Sequence, residues 1–189
     1  MYPPRVPTPY PPQTRPPFEV TYNRQETHQS CKETMTDKQL LIVAHAPSPN
    51  TQRLAEAVLR GARHPDIAGV TARHIPPLEA TPDDVLAADA IILGTTENLG
   101  YMSGALKDFF DRCYYPVLEK KQGLPCALYI RAGLDGTGTR RAVESIVSGL
   151  KWNWVQEPLT CRGEFQEGFI AQCEELGMAV AAALEAGII

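Results

Sequence analysis

From Leu40 onward, short apolar runs alternate one for one with longer stretches of helical period. The runs are LLIVAH (40–45), the more mixed GVTARHI (69–75), AIILGT (90–95), CALYIRA (126–132) and VQEPLTCRG (155–163). Between the first two, TQRLAEAVLRGA (51–62) repeats Leu54, Ala55, Val58, Leu59 and Ala62 at helical spacing. TPDDVLAAD (81–89) opens on Thr81 and Pro82, which suit an N-cap and a first helical position. Further helices are predicted over about 103–118, 139–150 and 166–186. Strands this uniformly apolar have no face to give to water, so they require a parallel sheet covered by helices on both sides. Right-handed crossovers leave few ways to wind it. The predicted fold is α/β, a doubly wound five-stranded parallel sheet of order 2-1-3-4-5. Ligands of such sheets sit outside the carboxyl ends of the strands, at the switch point between strands 1 and 3. That singles out the loops after Ala44 and after Thr95.

The first of these loops is HAPSPNTQ (45–52), which leads into a helix. A helix amino end offers unpaired N–H groups and the positive pole of its dipole, and it can hold a phosphate without Lys or Arg. Ser48 and Thr51 add hydroxyls and Asn50 an amide, although Ser48 or Asn50 could equally serve only as an N-cap. The sequence has no GxxxxGK[ST] element, and its nearest approach to GxGxxG, GTGTRR (136–141), carries Arg141 where the third glycine belongs. A phosphate site with neither fingerprint points to a mononucleotide.

The second loop belongs to TTENLGYMSGALKDFFDR (95–112). Leu106, Phe109, Phe110, Cys113 and Val117 form one helical face, which makes Ser103 the N-cap and those phenylalanines core residues. Thr95 to Met102 is then predicted to be a loop, with Gly100 free to take backbone angles closed to other residues. Its composition suits a flat amphipathic ring: backbone N–H groups for ring carbonyls, Tyr101 and Met102 for apolar faces.

At Gly94-Thr95-Thr96-Glu97-Asn98-Leu99-Gly100-Tyr101-Met102-Ser103-Gly104 and on through Leu106-Lys107 to Asp111-Arg112, the chain resembles the flavodoxin-like superfamily. More narrowly it is similar to the NAD(P)H-dependent FMN reductase and quinone-reductase-like branch. The resemblance covers residues 38–187. It implies a flavodoxin-like fold and an FMN cofactor, with the phosphate on the strand 1 loop at Ser48, Asn50 and Thr51. The ring would lie against Thr95, Thr96, Glu97, Asn98, Leu99, Gly100, Tyr101 and Met102. Further contacts would come from Ala132, Gly133 and Gly136 in AGLDGTGT (132–139), a segment that by itself reads as an ordinary Asp-Gly turn. Two positions depart from the pattern: Ala46 lacks the hydroxyl usual there, and Pro49 replaces a small residue and removes an N–H donor.

The activity so implied is an oxidoreductase that passes hydride or electrons from NAD(P)H, as co-substrate, through FMN to a quinone or similar small-molecule acceptor. The flavin carries that chemistry, so no catalytic residue is assigned. A flavodoxin-type electron carrier and a non-catalytic flavin-binding module are the alternatives. A net charge of -4 is mild for a carrier that docks on basic partners, and so favours the enzyme. The same charge, with no cluster of Lys and Arg, argues against nucleic acid. No metal site is expected, because His28, His45, His64 and His74 show no ligand spacing, though His45 stands beside the phosphate loop.

At 189 residues the chain has room for one ordinary domain, placed at 35–189, and no apolar run is long enough to insert into a membrane. Residues 1–34 differ in composition, with eight prolines in the first 17 positions. They are expected to be extended or disordered, either as a polyproline docking ligand or, as composition favours, a tail ahead of a start at Met35. Five scattered cysteines and no signal peptide suggest a cytoplasmic protein. The resemblance adds a homodimer or homotetramer.

Overall fold

The structure is a computed structural model that describes residues 37–189. The proline-rich extension, and with it the expectation for residues 1–34, lies outside the described residues. The described residues form one compact unit.

Its elements run in the order β1 (Lys38–Ala44), α1 (Pro49–Ala62), β2 (Val70–Ile75), α2 (Pro82–Ala87), β3 (Ala90–Asn98), β4 (Tyr101–Met102) and α3 (Gly104–Val117). Then come β5 (Pro125–Ala132), α4 (Thr137–Gly149), β6 (Asn153–Trp154), β7 (Leu159–Arg162) and α5 (Gly168–Glu185). β1 pairs in parallel with β2 and with β3, and β3 pairs in parallel with β5. The outer edge of β5 is shared: β6 pairs with Pro125 and Cys126, and β7 with Tyr129 to Ala132. Counting β6 and β7 as one position, the strand order is the predicted 2-1-3-4-5.

The fifth strand is nonetheless not the continuous 155–163 expected. Pro158 has no N–H to give a ladder, and the polar Gln156 and Glu157 precede it, so pairing stops after Val155 and resumes at Leu159.

Alternation along the strands sorts side chains into two cores. Leu41, Val43, Ile91, Leu93, Leu128 and Ile130 face α3 and α4, meeting Leu106, Phe109, Phe110, Val143 and Val147. Leu40, Ile42, Ile92, Ala127 and Tyr129 face α1 and α5, meeting Leu54, Val58, Cys173, Leu176 and Val180. On that second face α1 and α5 approach until backbone touches backbone. A Cβ on Gly61 would stand 1.9 Å from the Glu174 carbonyl oxygen, and one on Gly177 would stand 2.0 Å from that of Val58. On the first face, Arg112 in α3 ties down the segment before α2. Its guanidinium donates to the carbonyls of Ala80 (2.7 Å) and Pro77 (2.6 Å), while Asp108 accepts from its Nε.

Past the sheet, Thr95 to Met102 is a β-hairpin and not a loop. β3 continues to Asn98, and β4 returns antiparallel with Glu97 opposite Met102 and Asn98 opposite Tyr101. The turn is made by Leu99 (φ 55°) and Gly100 (φ 73°), both left-handed, the arrangement that matches strand twist in two-residue hairpins. The β-branched Thr95 and Thr96 extend the strand. An Asn-Gly turn would have announced this hairpin; Leu-Gly does not.

Two substitutions test the packing and the turn. Gly177→Ala is expected to cost about 2 kcal/mol by forcing α1 and α5 apart, which lowers the melting temperature by roughly 4–8 °C; an unchanged melting temperature would contradict the contact. Leu99→Asn puts a residue that tolerates left-handed backbone at the turn and is expected to gain about 1 kcal/mol in urea unfolding. A loss of stability would mean that Leu99 makes contacts this structure lacks.

Candidate functional site

Three segments converge at the carboxyl ends of β1, β3 and β5, around a cleft of about 280 Å³ lined by Ser48, Asn50, Thr51, Thr96, Glu97, Arg131 and Gly133. A larger cleft of about 410 Å³ lies between the β6–β7 segment and α5, among Glu157, Gln172 and Glu175. It has neither a helix amino end nor a glycine loop, and the switch point is elsewhere.

The wall at β1 is the start of α1. Ser48 is its N-cap and Pro49 its first residue. Ser48 and Thr51 cap each other: Thr51 N donates to Ser48 Oγ (3.3 Å), and Ser48 N donates to Thr51 Oγ1 (2.9 Å). Thr51 Oγ1 also donates to the Ser48 carbonyl at 2.9 Å. Both hydroxyls are thus engaged in the cap, though both residues border the cleft. Beside them His45 keeps its Nδ1 buried without a partner. Burial lowers its pKa below the usual imidazole value, which favours the neutral ring.

The wall at β3 divides its predicted residues into three groups. Thr96 and Glu97 border the cleft. Thr95 and Met102 are buried and do not line it. Thr95 Oγ1 accepts from Ser103 N (3.0 Å) and donates to the Thr96 carbonyl (3.0 Å), and Ser103 Oγ in turn accepts from Leu106 N (3.2 Å). Thr95 therefore braces the cap of α3, and Met102 packs in the core with Leu106 and Phe109. Asn98, Leu99, Gly100 and Tyr101 form the hairpin tip, where Leu99 is wholly exposed and Tyr101 is 43 % exposed. Asn98 Oδ1 accepts from Thr96 Oγ1 at 2.7 Å.

The third wall lies just past β5. Gly133 lines the cleft, and a Cβ there would meet nothing within 4 Å. Ala132 is buried, and its carbonyl is taken by Gly163 N and Arg131. Gly136, left-handed at φ 72°, is the N-cap of α4, which begins two residues earlier than expected. It borders an adjoining recess with Thr137, Arg140 and Thr160.

Glu97 fastens the second wall to the third. Its carboxylate accepts from Leu134 N (2.8 Å) and Gly136 N (3.2 Å), fixing the loop that leads into α4. Two residues further, a Cβ on Gly138 would lie 2.1 Å from the Gly100 carbonyl oxygen, so the hairpin tip rests directly on α4.

Arg131 is the site residue that pattern reading overlooked. A charged residue one position before the end of an apolar strand, at the rim where ligands bind, was the available signal.

The chemistry at hand is that of binding. Cys113 lies on the buried face of α3, where burial pushes its thiol up to about 11, away from the thiolate form that a nucleophile needs. Among the described residues no three His, Cys, Asp or Glu side chains gather as a metal site, and no helix is long and apolar enough to cross a membrane. An FMN fits the donor set: a helix amino end, the Asn50 amide and the Arg131 charge suit a phosphate, and Thr96 and Glu97 offer polar groups to sugar hydroxyls. Open space at Gly133 admits close approach.

Comparison with known proteins agrees with this geometry. A flavodoxin of Aquifex aeolicus is 32 % identical over 111 residues, which make up 59 % of this chain and 59 % of that protein. The chain thus spans under two thirds of that relative's length. An archaeal flavodoxin structure superposes with a TM-score of 0.67 at 19 % identity, covering 78 % of this chain and 99 % of its own. A WrbA-like flavodoxin from Agrobacterium tumefaciens gives 0.60 at 20 % identity, covering 78 % and 97 %. Both share the fold. The family model for NADPH-dependent FMN reductase matches residues 38–158, a span that takes in all three walls of the cleft, and the chain belongs to that family.

Proposed function

We propose that this protein is an FMN-dependent oxidoreductase that takes reducing equivalents from NAD(P)H and delivers them to a quinone or similar small acceptor. The observation that carries the proposal is the convergence of the α1 amino end, the hairpin and the Gly133 loop on one cleft at the switch point. Bound there, FMN would supply the hydride and electron chemistry. The chain's own residues bind and orient. The α1 amino end and the Asn50 amide would hold the phosphate, with Thr96, Glu97 and Gly133 lining the way to the hairpin.

Glu97 gives the seat its shape before any cofactor arrives. With its carboxylate on Leu134 N and Gly136 N, the hairpin and the loop after β5 keep a fixed separation. The segments that carry this seat also expose Leu99, Tyr101 and Leu134, apolar surface that would suit flat visitors such as a nicotinamide or a quinone ring.

The similarity to a protein described as a flavodoxin supports a second reading, an electron carrier without its own nicotinamide reaction. Two measurements separate the possibilities. Purified protein, supplied with FMN if colourless, is expected to show flavin absorption bands; no bands and no FMN binding would sink both readings. The loaded protein is expected to oxidise NADH or NADPH in the presence of a quinone, whereas turnover with neither nucleotide would favour the carrier.

The role given to Glu97 is tested without cofactor. Glu97→Ala is expected to abolish amide hydrogen-exchange protection at Leu134 and Gly136 while leaving β5 protected. Undiminished protection would show that the loop holds its shape without the carboxylate.

A further inference from the structure

The cradle at the start of α1 is short of donors for the group it is meant to hold. Pro47 and Pro49 have no N–H, Ala46 has no polar side chain, and the Ser48 and Thr51 hydroxyls are bound to each other and to backbone. A phosphate monoester brings about two negative charges. Asn50 and the helix dipole alone are a thin complement to them.

Arg131 stands in the same cleft. Along β5 it shares a sheet face with Tyr129 and Ala127, the face covered by α1 and α5, and so lies on the side where α1 begins. Its guanidinium is fixed in place. Nη1 donates to the carbonyls of Ala132 and Cys161 (the latter at 3.1 Å) and Nη2 to that of Gly163 (2.7 Å), while the group lies 5.8 Å from the Phe169 ring centroid. These partners are neutral. Arg53, Arg60, Arg73, Arg112 and Arg140 each have a carboxylate, but among the described residues none is in ion-pair reach of Arg131. The charge is therefore immobilised and partly buried, with no ion-pair partner among the described residues, beside a cradle that lacks positive charge; the one carboxylate lining the same cleft, that of Glu97, is held by Leu134 N and Gly136 N.

We infer that Arg131 is the phosphate-recognition residue of this site: its guanidinium supplies the charge complement for the FMN 5′-phosphate that the proline-containing loop does not. The inference rests on the FMN reading above. It makes flavin binding selective for the phosphorylated form, through a strand residue outside the loop itself. Holding the guanidinium through carbonyls orients it without neutralising it, so little further ordering is needed when the anion arrives. Joining the ends of β5 and β7 would be a purely structural use of the same bonds, and the two roles differ in what they do to riboflavin, which lacks the phosphate.

The experiment is titration of FMN and of riboflavin, monitored by flavin fluorescence, into wild-type protein, Arg131→Gln and Arg131→Lys. Wild type is expected to prefer FMN, and the preference should weaken with added salt, since charge attraction is screened while riboflavin binding is not. Arg131→Gln is expected to cut the ratio of FMN to riboflavin affinity at least about tenfold, equivalent to about 1.4 kcal/mol, with riboflavin binding little changed. Arg131→Lys keeps the charge and should retain most of the preference. Equal weakening of both ligands in Arg131→Gln, or an unaltered ratio, would overturn the assignment and leave Arg131 as a structural tie. Wild type that binds FMN no better than riboflavin would overturn it while sparing the flavin reading; wild type that binds neither would overturn both.

Discussion

Leu40 and Ile42 point to one side of the central sheet and Leu41 and Val43 to the other, and both sets are buried. The rest of the fold depends on that double burial. A strand covered on both faces cannot slip in register without moving one apolar set into the place of the other, so β1 is held firmly between β2 and β3. Parallel neighbours bring their carboxyl ends to one rim, and the crossovers that join them must bring helix amino ends to the same rim. The cleft is thus a consequence of how the core is buried, placed before any side chain in it is chosen.

Much of this was legible in the residues. The face Leu106, Phe109, Phe110, Cys113 and Val117 is the buried face of α3, and Ser103 caps it, because a single well-patterned helix leaves little to tertiary context. The hairpin was not legible, since its turn uses Leu99 where an asparagine would have signalled left-handed backbone. The break in the last strand turns on Pro158, whose effect depends on a partner strand that pattern alone does not identify.

For the site, position proved easier to read than role. Ser48, Asn50, Thr51, Thr96, Glu97 and Gly133 border one cleft, as expected of residues at the switch point. Thr95 and Met102 lie in the same stretch yet serve the α3 cap and the core; Glu97 shares their face, opposite Met102, but reaches out to the loop after β5. Arg131 and the carboxylate bridge of Glu97 depend on contacts between segments at least 30 residues apart. Periodicity within one segment carries no trace of such contacts. Both are charged groups that fix backbone in place.

The most direct measurement is a two-dimensional amide NMR spectrum of the protein titrated with FMN. The account predicts perturbations concentrated at Asn50, Thr51, Thr96, Glu97, Arg131 and Gly133, with smaller ones at the hairpin tip. Perturbations centred on the cleft at Glu157, Gln172 and Glu175, or a spectrum that FMN leaves unchanged, would contradict it.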